Sequence, residues 1–160
     1  MISKRVIVGL IIEQLTEQLT TLAGASRAMH ADASDEQNKP EDKYDTRGLE
    51  TAYLASSQAR MATEMELALA VYQALELQKF PEKAGIDLTA LVELESDGTR
   101  TLHFLGPKGG GLEILHKGTE VLVITPESPL GQQLLGKKVG DCIKFQTRGP
   151  AQEFRVVSVR

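Results

Sequence analysis

Apolar residues recur at alternating steps of four and three in the first half of this chain and at steps of two in the second. In the first half, one series runs Val8, Ile12, Leu15, Leu19, Leu22, Ser26 and Met29. A second runs Leu54, Gln58, Met61, Met65, Ala68, Tyr72 and Leu75. Such steps average ~3.5 residues, the repeat of a coiled-coil seam. The spacing predicts two helices of about 28–32 residues, each roughly 45 Å long, paired as an antiparallel hairpin. Gly9 and Gly24 each weaken the first helix by about 1 kcal/mol relative to Ala. Met61, Met65 and Ala68 are flexible or small, so they permit close approach but fix register loosely.

Between the two patterns, residues 31–46 are rich in Asp, Ser, Asn and Pro, which favour turns and caps over helix interiors. Pro40 breaks any helix entering it, and Asp45 or Thr46 is placed to cap the second helix. Phe80, Pro81 and Gly85 mark a boundary, giving domains at 1–80 and 81–160. Beyond it, alternation predicts strands at 89–94, 101–105, 112–115, 120–124, 142–146 and 153–159. Turns fall at Asp97-Gly98, Lys108 to Gly111, Lys117-Gly118 and Arg148 to Pro150. One helix interrupts them. Ser128 is its N-cap, Pro129 its first residue, Leu130, Leu134 and Leu135 its apolar face, and Gly136 its stop. Lys137 and Lys138 suit the negative C-terminal end. The expected fold is α+β, an antiparallel helical coiled-coil hairpin followed by a small antiparallel sheet folded around one helix.

Charge sharpens this layout. The net charge is −4, and residues 32–45 carry all of it, with Asp32, Asp35, Glu36, Glu41, Asp42 and Asp45 against Lys39 and Lys43. The rest is formally neutral, which excludes a broad basic surface for DNA. The plain reading of the connector is a solvated, solubilising loop. Its position suggests more, because carboxylates at the far end of a rod cannot help a core. They are hard oxygen ligands suited to Mg²⁺, which takes one or two protein carboxylates plus water and phosphate oxygens. A rod tipped in this way can complete a metal site inside another protein's narrow cavity.

Other chemistry is sparse. Aromatic content is 4% with no Trp, which argues against a stacking platform for single-stranded nucleic acid. His30, His103 and His116 have no metal-ligand spacing with Cys142. Cys142, the one cysteine, lies in a predicted strand and reads as a buried structural residue. It excludes an internal disulfide framework. Gly109 to Gly111 is a turn, not a phosphate loop, because no hydroxyl-bearing helix start follows it. The apolar run from Val6 to Ile12 is too short to span a bilayer and has no small-residue cleavage site behind it. A cytoplasmic protein is expected.

The run Ser128-Pro129-Leu130-Gly131, followed by Leu134-Leu135-Gly136-Lys137-Lys138-Val139-Gly140-Asp141, resembles the C-terminal motif of the bacterial GreA/GreB transcript cleavage factors. The ending, Glu153 to Val159, resembles that family's last strand. Glu41-Asp42-Lys43-Tyr44-Asp45 resembles its acidic tip segment, although Asn38 stands where the family's tip Asp would fall. The first helix also lacks the family's Arg-Pro and the basic residues after it. The resemblance implies an FKBP-like C-terminal domain that docks on RNA polymerase at the rim of the secondary channel, using the Ser128, Pro129, Leu130 and Gly131 segment. It implies that the hairpin enters the channel, and that Glu41 and Asp42 help hold the polymerase Mg²⁺ that cleaves backtracked RNA. Asp35, Glu36 and Asp45 are further tip candidates. On this reading the protein has no active site, metal or small-molecule substrate of its own, meets nucleic acid only through the transcription complex, and touches no membrane. Two other readings stand beside it, an FKBP-like prolyl isomerase or holdase chaperone and a plain coiled-coil adaptor.

Overall fold

The computed structural model describes residues 2–33, 47–81, 83–146 and 151–160. Its elements are α1 (Lys4–Ala33), α2 (Arg47–Gln73), β1 (Leu91–Ser96), β2 (Thr99–Leu105), β3 (Glu113–His116), β4 (Thr119–Ile124), α3 (Pro129–Leu134), β5 (Cys142–Phe145) and β6 (Gln152–Val159). Every strand expected from alternation is present. The first begins two residues later than expected, because Thr89 takes a left-handed φ of 69°. Its hydroxyl there accepts a hydrogen bond from the Gln78 amide at 3.0 Å.

The chain divides into two compact units, Met1–Ile11 with Val71–Arg160, and Ile12–Ala70. The start of α1 and the end of α2 share the first unit, while the remainder of both helices makes the second. The two helices therefore run antiparallel. α1 has 30 residues and α2 has 27.

In the first unit, six strands form one sheet in the order β3-β4-β2-β1-β6-β5. The expected antiparallel sheet is in fact mixed, because β2 and β4 pair parallel, Leu102 beside Val121 through Leu105 beside Ile124. Chain order explains this. The β2–β3 loop steps past one strand position, and the β3–β4 hairpin then returns the chain between β3 and β2. Both two-residue hairpin turns, Asp97-Gly98 and Lys117-Gly118, have positive φ at each position, which matches the twist of the flanking strands.

The sheet is buried on both faces. Val92, Leu94, Leu105, Ile124, Ile143 and Val156 pack with Ile86 and with Leu134 of α3. The alternate positions Leu91, Phe104, Val121 and Val123 are also fully buried, as are Ile7, Ile11 and Tyr72 from the two long helices. The Tyr72 hydroxyl donates to the Lys108 carbonyl at 2.6 Å and lies where Gly106 has no side chain. Burial of the ring raises the phenol pKa. The Lys4 ammonium donates to the Gln78 carbonyl and sits 4.6 Å from the centre of the Phe80 ring. Its partial burial lowers its pKa.

The apolar run read as too short for a membrane is part of a longer stretch. Lys4–Ala25 is long and apolar enough to cross one by length and composition. Ile7, Val8, Ile11 and Leu15 of that stretch are buried in this fold.

In the second unit the helix seam differs from its expected register. Gln58 and Met65 are half-buried as expected, but Leu54 and Met61 turn outward, 44% and 46% exposed. Ala55 and Ala62, one position along, take their places beside Leu19, Leu22 and Ala23 of α1. Small side chains do not fill the gap, and a cavity of about 510 Å³ lies between the helices. The Gln58 side-chain oxygen is buried there with no hydrogen-bond partner. The side chains of Ser26 and Met29 lie outside the described residues.

Candidate functional site

The motif after β4 owes its spelling to local geometry. Ser128 is extended, with φ −67° and ψ 150°, and its hydroxyl accepts from the Gly131 amide at 3.0 Å. The same hydroxyl donates to the Thr125 carbonyl at 2.7 Å. Pro129 opens the helix where no intrahelical N–H is needed. A Cβ on Gly131 would lie 1.9 Å from the Thr125 carbonyl oxygen, so only glycine fits there. Leu134 is fully buried, and Leu130 packs half-buried on the same core.

Gly136 then takes a φ of +75° and ends the helix. Its amide donates to the Ile86 carbonyl at 2.8 Å, and the Ile86 amide returns the bond to Lys137 at 2.7 Å. Gly85 lies against Gly136, its missing Cβ 3.0 Å from that residue's carbonyl oxygen. The Asp141 carboxylate accepts from the Lys138 amide at 2.8 Å and closes the next turn. Gly140, at φ +93°, donates to the Val156 carbonyl at 2.9 Å and ties the motif to β6.

Residues 85–160, which hold this whole motif, match the family described as transcription elongation factor GreA/GreB, C-terminal. The C-terminal half is a GreA/GreB-family domain. That match lies in the second half of the chain. The chain is 47% identical over 36 residues to transcription elongation factor GreA of Thermotoga neapolitana. Those residues are 22% of this chain and 23% of that protein, so the match spans under a quarter of the relative's length. Similar solved structures include GreA factor homolog 1 of Thermus thermophilus, 24% identical over 93% of this chain and 94% of that one, with a TM-score of 0.40. Gfh1 of Thermus aquaticus is 26% identical over 92% of each chain, also with a TM-score of 0.40.

Within the GreA/GreB-family domain, the four residues expected to dock differ in exposure. Gly131 is buried, Ser128 and Leu130 are half-buried, and only Pro129 is exposed. What α3 and the turn after it expose is Gln132, Gln133, Leu135, Lys138 and Val139. Leu135 was expected on the apolar face. It is 39% exposed because the helix ends at Leu134 and Leu135 is already the cap. Sequence reasoning missed this patch. Its signal was Val139, an apolar residue in a Lys- and Gly-rich turn.

Cys142 also differs from expectation. It is exposed, because β5 is an edge strand whose alternation turns Ile143 inward and Cys142 and Lys144 outward. His103, in contrast, is buried on the α3 side of β2, with its Nδ1 unpartnered. Burial pushes its pKa down to about 4, so it is neutral near pH 7. Among the described residues, no group of three or more His, Cys, Asp or Glu is placed to hold a metal. The tip residues Asp35, Glu36, Glu41, Asp42 and Asp45 lie outside the described residues.

Proposed function

We propose that this chain is a Gre-like factor of RNA polymerase that binds at the secondary channel and regulates elongation. The GreA/GreB-family match over residues 85–160 carries the reading. Two antiparallel helices of 30 and 27 residues, flanking the segment that holds the chain's entire net charge, add support. In this reading the FKBP-like C-terminal domain docks on the channel rim through the Ser128 to Gly131 segment and the exposed Leu135, Lys138 and Val139 beside it. The acidic segment reaches the polymerase active centre. There Glu41 and Asp42, with Asp35, Glu36 and Asp45 nearby, supply carboxylate oxygens to the polymerase's own Mg²⁺. The protein carries no active site itself and works in the cytoplasm. Its partner is the transcription complex.

A transcript cleavage assay on backtracked complexes tests this. Added protein should change cleavage, pausing or initiation by purified polymerase. No change in any of the three sinks the reading. A prolyl isomerase is disfavoured by its aromatics. Phe104 is fully buried and Phe154 packs on the core, so neither is free to wall a pocket.

A further inference from the structure

Within the second unit, α2 carries two coiled-coil seams that share residues. One runs Leu54, Gln58, Met61, Met65 and Ala68, at steps of four and three. The other runs Ala55, Gln58, Ala62, Met65 and Leu69, at steps of three and four. Both have the 3.5-residue repeat, and Gln58 and Met65 belong to both. At that repeat one residue turns the helix by ~103°, so the midlines of the two seams lie about 50° apart.

The structure uses the second seam toward the connector and both at the other end. Ala55 and Ala62 are half-buried, while Leu54 and Met61 stand 44% and 46% exposed. Further along, Ala68 is buried and Leu69 half-buried. This packing is loose. Ala55 and Ala62 face Leu19, Leu22 and Ala23 of α1 across the cavity of about 510 Å³. The Gln58 oxygen buried there has no hydrogen-bond partner. An unfilled space and an unpaired acceptor both cost stability. Turning α2 by half a residue step brings Leu54 and Met61 against α1 and turns Leu69 outward. Two large apolar side chains are then gained against one lost, so neither seam has a decisive advantage.

We propose that α2 is a two-register switch, alternating between its alanine seam and its Leu54/Met61 seam by a rotation of about 50°. The rotation exchanges the apolar surface presented to solvent, Leu54 and Met61 in one register and Leu69 in the other. The inference stands independently of the polymerase reading.

Methyl-¹³C methionine NMR of the full chain tests it, with a soluble gadolinium chelate reporting exposure. Ala62→Leu fills the alanine seam and should hold the described register, leaving the Met61 methyl strongly broadened by the chelate. Ala62→Lys places a charge that the alanine seam cannot bury, so α2 should turn it out and bring Met61 in. The Met61 methyl should then lose most of that broadening. Met65, common to both seams, should broaden alike in the two variants. Equal broadening of Met61 in the two variants overturns the proposal, because α2 then has one register. Loss of helix by circular dichroism in Ala62→Lys overturns it too, since a chain with a second register has a place to turn the lysine out.

Discussion

Gly131 shows how one residue type can be dictated by one distance. With the Thr125 carbonyl oxygen 1.9 Å from where a Cβ would stand, Gly131→Ala must push α3 away from β4. The expected loss is about 3 kcal/mol, readable in urea unfolding. In sequence this glycine sits inside a helix, where propensity alone disfavours it, and nothing local announces the carbonyl. His103 makes a second residue-scale case. Its folded pKa of about 4 lies below the ordinary value of 6.5, because burial penalises the imidazolium. A histidine that is neutral when folded takes up a proton more readily when unfolded. Its contribution is present above pH 6.5 and is lost as pH falls toward 4. Between pH 7 and pH 5 the parent should lose about 2 kcal/mol that His103→Leu does not lose, compared by urea unfolding at the two pH values. Equal losses would mean that His103 is not buried neutral.

At the scale of elements, α3 was legible because its cap, first-turn proline and stop glycine are local signals. Ser128→Ala should cost about 1–2 kcal/mol, since the hydroxyl both accepts from Gly131 and donates to Thr125. A thermal melt checks it, and Ser128→Asp should recover part of the loss by keeping an acceptor at the cap. The strands were legible for the same reason, since alternation is written along each one. Their pairing was not. The parallel β2–β4 contact depends on where a loop puts β3, and no residue in either strand records it. The α2 seam was legible in period and half wrong in register. Leu54 and Met61 are the larger apolar residues, yet Ala55 and Ala62 face the partner helix. A heptad drifts ~20° against the true helix repeat, so neighbouring positions compete for the seam.

For the whole molecule, the proposed function assigns docking and chemistry to different places. In that proposal the segment that docks lies within residues 85–160, which match the GreA/GreB C-terminal family, and the carboxylates lie in the acidic segment. On that proposal, changing Glu41 and Asp42 together to Ala leaves polymerase binding within about twofold, because charges outside the docking contact contribute little. The same change should abolish the effect on stalled complexes. Pull-down and transcript cleavage, run side by side, separate the two. If both fall together, the tip is part of the docking surface. If neither changes, the acidic segment is only a solubilising loop.

Sequence by itself determined the elements, the concentration of charge in one connector and the family of the second half. These are written in neighbouring residues, through caps, alternation, composition and a motif whose glycines and caps follow from backbone geometry. Tertiary structure alone decided which side chains remain available. It buried Gly131 and half-buried Ser128 and Leu130 of the expected docking motif, exposed Leu135, Val139 and Cys142, and kept His103 neutral. The reason is that burial depends on what folds over a residue from elsewhere in the chain, and neighbouring residues do not record it.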